Sequence, residues 1–486
     1  MPSVSSRSSR LSRSSRSFRC LASSAGSGSA RPAPSGPWRD ADFRRLWCGQ
    51  TASQLGEHAT LVMLPLLAVL TLDAGAGRLG VLRAVGQAPV LLLSLFVGAW
   101  VDRWRTRTTM MLSDLGRALA LGAIALAALV GGLGMPALLA LAFVVGALSV
   151  FFDVAYQASL VRLVERDRLV RGNSALEGSR SAAQIGGPAL GGALVSLLSA
   201  PVAAASGALF FALSFLSIRR IRRAESPKSG QEEKPAQVGR RIHEGLRFVV
   251  GDTLLRSVCL ASAAFQFSFA AMMTVYLLFL PRELHLPGSV VGLVLAASGP
   301  GALLGSLPAA RLPGRFGHGT VLVGAAVLGD GAFLLVAPLD GSRAVTVPVL
   351  LGVGFLFGCG GQLVNVTVMA VRQAAAPDGM QGRVAATITC AGMGLTPLGS
   401  LTGGFLAGEW GLRTGLLVTA TGMMLSPGVM ALSPLGRLGR QLPAPPGGPP
   451  MAARPEGRSP DPAVLAHRLL DADPPDRAGR TRPREP

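Results

Sequence analysis

The chain has 486 residues, of which 49% are hydrophobic and only 15% charged, with a mean hydropathy of +0.45; soluble domains average about 25% charged residues. That composition excludes a water-soluble globular protein and points to a polytopic membrane protein whose first partner is the lipid bilayer. The formal charge of +20 would suggest nucleic acid in a soluble chain, but here the arginines fall between apolar runs and in the tails, so no nucleic-acid partner is expected.

In chain order, residues 1–40 form a basic, serine-rich tail with Arg7, Arg10, Arg13, Arg16 and Arg19, expected to be disordered. Six apolar runs of roughly 20 residues follow within 41–218, at about 46–71, 79–101, 109–131, 136–158, 174–199 and 201–218. Residues 219–256 read as a linker: a basic stop at Arg219, Arg220, Arg222 and Arg223, then a short amphipathic segment with Ile242, Leu246 and Val249 on one face, expected at the membrane interface. Six further runs occupy 257–434, at about 257–280, 289–311, 319–338, 345–371, 384–407 and 412–433. The fifth and eleventh are glycine-rich and weak as isolated spans, though small residues suit close helix contacts in lipid. Residues 435–486 are rich in Pro and Arg and expected to be disordered.

Twelve runs place alternate loops on opposite sides. One side collects most of the arginines, including Arg103, Arg105, Arg107, Arg162, Arg166, Arg315, Arg372 and Arg383. By the positive-inside rule both termini are cytoplasmic, and the expected location is the plasma membrane. A shift of about 211 residues sets Arg45 and Cys48 over Arg256 and Cys259, and brings Gly80 near Gly292. The expected fold is therefore all-α, with twelve transmembrane helices in two six-helix pseudo-repeated bundles. The cysteines Cys20, Cys48, Cys259, Cys359 and Cys390 have no metal spacing. No P-loop glycine pattern is present either, so neither a metal, a cofactor nor an enzyme activity is expected.

Between the second and third runs lies Gly98-Ala-Trp-Val-Asp102-Arg103-Trp-Arg105-Thr-Arg107. Gly98 and Asp102, four apart, share a helix face. The pattern resembles the helix 2–3 loop of major facilitator superfamily transporters, with Gly98, Asp102, Arg103 and Arg107 in the motif positions. The fifth run contains Gly186-Gly187-Pro188-Ala-Leu-Gly191-Gly192. Its ending is similar to the antiporter motif of that superfamily's exporters, carried by Gly187, Pro188, Gly191 and Gly192; Ser174 and Ala183 stand where upstream glycines would fall. The approach to it, with Asn173, Glu177 and Arg180, resembles the branch of enterobactin exporters and macrolide efflux proteins. The resemblance covers about 40–435. It implies a major facilitator fold, alternating access between two bundles, and Asp102 latching against the start of the eleventh run near Arg383.

Charges inside spans are costly and so mark candidate sites. Glu57 and His58 lie in the first run, Arg83 in the second, Asp114 and Arg117 in the third, Asp153 in the fourth, Glu177 and Arg180 in the fifth, and Asp330 in the ninth. Glu57 and Asp153 are the expected proton carriers, with His58 and Arg83 as further candidates for proton or substrate. His58 cannot face the same way as its neighbour Glu57. Asp114 with Arg117, and Glu177 with Arg180, are three apart and read as pairs serving a gate. The fourth run has no arginine where the family has one for proton coupling; Arg83 or Arg117 could substitute. The expected function is proton-coupled efflux, by a monomer, of a small-molecule substrate that is a moderately large amphipathic organic compound (a drug, a macrolide-like natural product or a siderophore). An importer or symporter of the same fold is the alternative, and a non-transport sensor a weaker one.

Overall fold

The computed structural model describes Trp38 and residues 40–101, 104–163, 169–221, 244–309, 311–340, 343–377 and 380–441. Among them there are helices and no strand. Lipid offers no partner for backbone N–H and C=O groups, so each span must satisfy its own. The first half comprises α1 (Ala41–Thr71), α2 (Ala76–Val101), α3 (Thr106–Leu129), α4 (Met135–Leu163), α5 (Leu169–Leu197) and α6 (Ala200–Arg219). A short helix, α7 (244–251), leads into the second half. There α8 (Thr253–Arg282) is followed by α9 (Gly288–Ala296), α10 (Ser298–Ala309) and the short α11 (Leu312–Phe316). Next come α12 (His318–Gly331), extended by a 3-10 turn at Ala332–Leu335, and α13 (Arg343–Ala375). The half closes with α14 (Gln381–Gly394), α15 (Thr396–Trp410), α16 (Leu412–Met423) and α17 (Leu425–Leu432).

Three spans of the second half are each broken into two helices, α9–α10, α14–α15 and α16–α17, and the cause is visible in the sequence. The breaks fall at Ala297, Leu395 and Met424, each two or three residues before a proline: Pro300, Pro397 and Pro427. Proline has no N–H to donate one turn back and its ring crowds that carbonyl. With each broken pair counted once, eleven spans have both the length and the hydropathy to cross a membrane. The twelfth is α5, long enough at 29 residues but too rich in Gly and Ser to qualify on hydropathy. The weak eleventh run is recovered because α14 and α15 stack end to end.

The turn at 72–75 and the ends of α5, α8 and α15 define one end of the bundle, called distal below. Both described chain ends lie at the other, terminal, end. Each half opens on an aspartate cap: Asp40 accepts from the Asp42 N–H at 2.9 Å, and Asp252 from the Leu254 and Leu255 N–H groups at 2.9 and 2.8 Å. These two caps are 212 residues apart, the internal repeat in its most local form.

Helix α7 is held against α14. Glu244 pairs with Arg383 at 2.8 Å, and a Cβ on Gly245 would lie 2.9 Å from Thr387 Oγ1, so a side chain there would have to displace that hydroxyl. Val249 is 1% exposed and Leu246 49%, and Phe248 packs beside Val249 in the core formed by Leu255, Leu322 and Val384. Ile242 lies outside the described residues.

Arg282 at the end of α8 crosses to the first half, donating to Asp73 at 2.5 Å and to the Ala74 carbonyl at 3.2 Å. The Asp73 side chain is 94% exposed, and exposed pairs contribute about 1 kcal/mol or less. Asp73 also sits at φ 48°, a region asparagine tolerates well. Asp73→Asn is therefore expected to leave folded yield and melting behaviour in detergent close to wild type; a large loss would show that this bridge anchors the two halves.

Candidate functional site

A cavity of about 450 Å³ opens between the two halves at mid-depth. From the first half, Leu61 and Val62 (α1), Arg83, Gln87 and Val90 (α2), and Gln184 and Pro188 (α5) line it. The second half contributes an aromatic wall. Phe269 and Phe357 stack with centroids 5.4 Å apart and planes 6° from parallel. Phe265 stacks behind them at 5.5 Å, and Phe333 meets Phe357 edge-on at 5.2 Å. Tyr276, Gln266, Met273, Met393 and Thr396 complete the lining named here.

The distal roof of this cavity is a seam of glycines. A Cβ on Gly80 would lie 3.0 Å from Gly404 Cα and 2.8 Å from the Ser400 carbonyl oxygen. One on Gly192 would lie 2.6 Å from Gly292 Cα, and one on Gly292 2.8 Å from the Pro188 carbonyl oxygen. A shift of 212 residues carries Gly80 onto Gly292, Pro188 onto Ser400 and Gly192 onto Gly404. The α2–α15 and α5–α9 contacts are thus one interface used twice, related by the pseudo-two-fold between the halves. The fifth-run motif divides its labour accordingly. Gly187 and Gly191 press on α1, where a Cβ would meet His58 Cβ at 2.4 Å and the Ala59 carbonyl at 2.3 Å, while Gly192 faces the other half.

One turn from Leu61 toward the terminal end lies a charged network inside the first half. Arg117 is fully buried. It bonds Asp114 at 2.5 Å and lies 3.5 Å from Glu57, and it donates to Ser53 at 2.9 Å and Ser149 at 3.2 Å. Phe152 and Phe211 present ring faces 4.5 and 4.4 Å from its guanidinium, a cation–π clasp. Asp114 also accepts from Ser53 at 3.1 Å and Ser214 at 2.5 Å. Asp153 accepts from Gln54 at 3.5 Å. Two buried carboxyl-bearing helices, α1 and α3, are thus joined through a single guanidinium.

The structure brings Glu57, Asp114 and Arg117 together and sets Asp153 beside them through Gln54. His58 turns away from Glu57 to pack on α5, as two adjacent helical residues must. Glu177 and Arg180 are both exposed and form no ion pair with each other, although the Arg180 charge acts on Glu57, His58 and Asp153. Arg83 stands apart, in the cavity. Gly98 lies near the end of α2, and Arg107 donates to the Arg219 carbonyl at 2.7 Å, tying α3 to α6. Asp102 and Arg103 lie outside the described residues. Sequence reasoning did not single out the aromatic wall, Gln184 and Gln266 of the cavity, or Gly80 and Gly404 as a contact. The repeat of Gly80 at Gly292 was the available signal for the seam.

The sequence matches the family model described as "Transmembrane secretion effector" over residues 32–444. The chain belongs to this family of major facilitator transporters. The transporter is 27% identical over 385 residues to "Multidrug efflux pump Tap" of Mycolicibacterium fortuitum, covering 78% of this chain and 91% of that one. Among solved structures, it resembles a bacterial homologue of the human lysosomal transporter Spinster in an inward-facing conformation, with a TM-score of 0.65 at 12% identity over 83% of this chain and 98% of that one. It also resembles a bacterial homologue of the iron transporter ferroportin. The TM-score is 0.63 at 18% identity against the inward-facing state, covering 80% of this chain and 97% of that one. Against the outward-facing state it is 0.51 at 20% identity, covering 80% and 98%. At these identities the likeness establishes the fold. With a multi-pass bundle and a cavity between its halves, the transporter has the architecture of alternating access.

Proposed function

We propose that this transporter exports an amphipathic organic compound from the cytoplasm in exchange for protons, as a monomer in the plasma membrane with both termini inside. The observation that carries the reading is the closed distal seam directly above a central cavity, with a buried carboxylate–guanidinium network one turn below. The arginine-rich loops favour a cytoplasmic terminal end by the positive-inside rule, and in that orientation a closed distal seam corresponds to an inward-open state. The closer likeness to the inward-facing ferroportin homologue supports the same conformation. The 27% identity to an efflux pump supports the outward direction.

In this reading Glu57 carries the proton. Its side chain is 23% exposed, although the Oε2 that faces Arg117 is itself buried, whereas Arg117 and Asp114 are fully enclosed; of these three, Glu57 is the group that a proton can reach. Protonation removes its attraction to Arg117, which remains bound to Asp114. Helix α1 is then held to α3 in this network by the Ser53 hydrogen bonds to Arg117 and Asp114 without the Glu57 charge, which eases a shift between them. Because α1 also carries Leu61 and Val62 into the cavity and packs on the α5 motif, that shift reaches both the cargo and the seam. Asp153 and Arg180 tune the field at the same carboxylate, and the Asp102 loop closes the cytoplasmic side in the opposite state.

Drug accumulation in a pump-deficient bacterium tests this. Wild type is expected to lower accumulation of some amphipathic compounds and to lose that effect with a protonophore. Glu57→Gln is expected to fail like the empty vector while remaining in the membrane at normal levels. Faster uptake of a solute, with no compound excluded, would replace export by import.

A further inference from the structure

The central cavity has a one-sided charge. Among its described lining residues Arg83 is the sole ionised side chain and no carboxylate is present. Arg83 Nε is buried without a hydrogen-bond partner, and so is the hydroxyl of Thr396 in the same lining. No carboxylate of the described residues pairs with Arg83; those of the first half gather around Arg117 instead. A half-buried guanidinium whose Nε is enclosed and which has no counter-charge is costly, and native structures leave few buried donors unmet. Such a group, facing an open cavity, is satisfied by what enters it. Opposite stands the flat wall of Phe269 and Phe357, parallel within 6°, with no charge of its own.

We propose that Arg83 is the specificity-determining residue of the cargo site and that the cargo is an aromatic organic anion. A carboxylate, sulfonate or phosphate accepts from the Arg83 fork, and the aromatic body lies against Phe269 and Phe357. The glutamines Gln87, Gln184 and Gln266 supply neutral hydrogen bonds that tolerate different anionic heads. Planar bidentate recognition is the property that separates arginine from lysine here. This assignment rests on the cavity being the cargo site proposed above and adds the class of cargo.

The test uses two dyes on one xanthene frame: fluorescein, an anion at neutral pH, and tetramethylrhodamine methyl ester, a cation. Binding to the purified full chain in neutral-lipid nanodiscs is followed by fluorescence polarisation. Wild type is expected to prefer fluorescein. Arg83→Gln is expected to weaken fluorescein about tenfold or more, the scale of a charge-assisted hydrogen bond, while leaving the cationic dye unchanged or tighter. Arg83→Lys should lose less. Phe269→Ala should weaken both dyes, because both present the same ring system. If Arg83→Gln does not fold, Arg83→Lys against Phe269→Ala decides: the first lowers fluorescein alone, the second lowers both. The assignment is overturned if wild type binds neither dye, if it binds the cation as tightly as the anion, or if Arg83→Gln weakens both alike. Proteoliposomes under a proton gradient separate this from the export reading. Arg83-dependent fluorescein transport in the inward direction would sink export and leave the assignment standing. Export of the cationic dye, indifferent to Arg83→Gln, would do the reverse.

Discussion

Replacing Arg117 by methionine is expected to destabilise the transporter by about 3–5 kcal/mol, the typical cost of leaving a buried charge without its partner. The guanidinium is completely enclosed, 2.5 Å from Asp114, and clasped by Phe152 and Phe211. Methionine fills much of that space but supplies no charge. Asp114 would keep only the hydroxyls of Ser53 and Ser214, which neutralise nothing. The thermal stability of purified protein in detergent measures the loss. A second variant makes the prediction specific. Exchanging a whole buried pair for neutral groups is often near neutral, so Arg117→Met with Asp114→Asn should recover most of the stability. Glu57→Gln should cost far less than either single change at the pair, since its contact is longer at 3.5 Å and it leaves Arg117–Asp114 intact. If Arg117→Met melts like wild type, the network is not the anchor of the first bundle.

The spans were legible because lipid imposes a local rule: each helix must carry its own apolar covering, and a run of residues reveals it. The breaks at Ala297, Leu395 and Met424 precede prolines but were less legible, since Pro65, Pro89, Pro188 and Pro348 lie inside helices that run on unbroken. Charged residues within spans were legible as costs, so Glu57, Asp114, Arg117 and Asp153 could all be picked out. Their pairing was only half legible. Asp114 and Arg117 meet because they are one turn apart on one helix, whereas the Glu57–Arg117 contact depends on how α1 crosses α3, which no spacing encodes. The same distinction governs the glycines. A shift of about 211 residues exposes Gly80 and Gly292 as equivalent, but it cannot say that each touches the mate of the other. That follows only from the two-fold arrangement, which sets α2 against α15 and α9 against α5. The cavity was least legible of all. Its wall is drawn from many helices, with six residues from α8 and one to three from each of the others, and Phe269 and Phe357 look in sequence like any other apolar residue of a span.

Gly192→Val is expected to cut transport at least about tenfold without lowering folded yield, because the added side chain works against one conformation only. In the present state its Cβ would stand 2.4 Å from the Gly288 carbonyl oxygen and 2.6 Å from Gly292 Cα. These are backbone atoms, so no rotamer relieves the clash, and the two halves must separate at the distal end. Overpacking of this kind costs about 1–3 kcal/mol, and about 1.4 kcal/mol already changes a two-state ratio tenfold. The cost is charged to the distally closed state and not to its opposite, where the seam is parted. The population therefore moves toward the distally open form. A cysteine at Leu295 in a cysteine-free background reports this: an impermeant maleimide added from the distal side should label Gly192→Val faster than the parent. The pseudo-two-fold adds a stringent requirement. Gly404→Val, 212 residues away in the other half, meets Gly80 Cα at 2.9 Å and must behave alike. Gly186→Ala in the same motif meets nothing within 4 Å and should transport normally, since alanine also favours the helix. Equal damage from all three would mean that the motif serves helix flexibility and not the seam. Normal transport and labelling in both valine variants would mean that the glycine contacts do not hold the distal side shut.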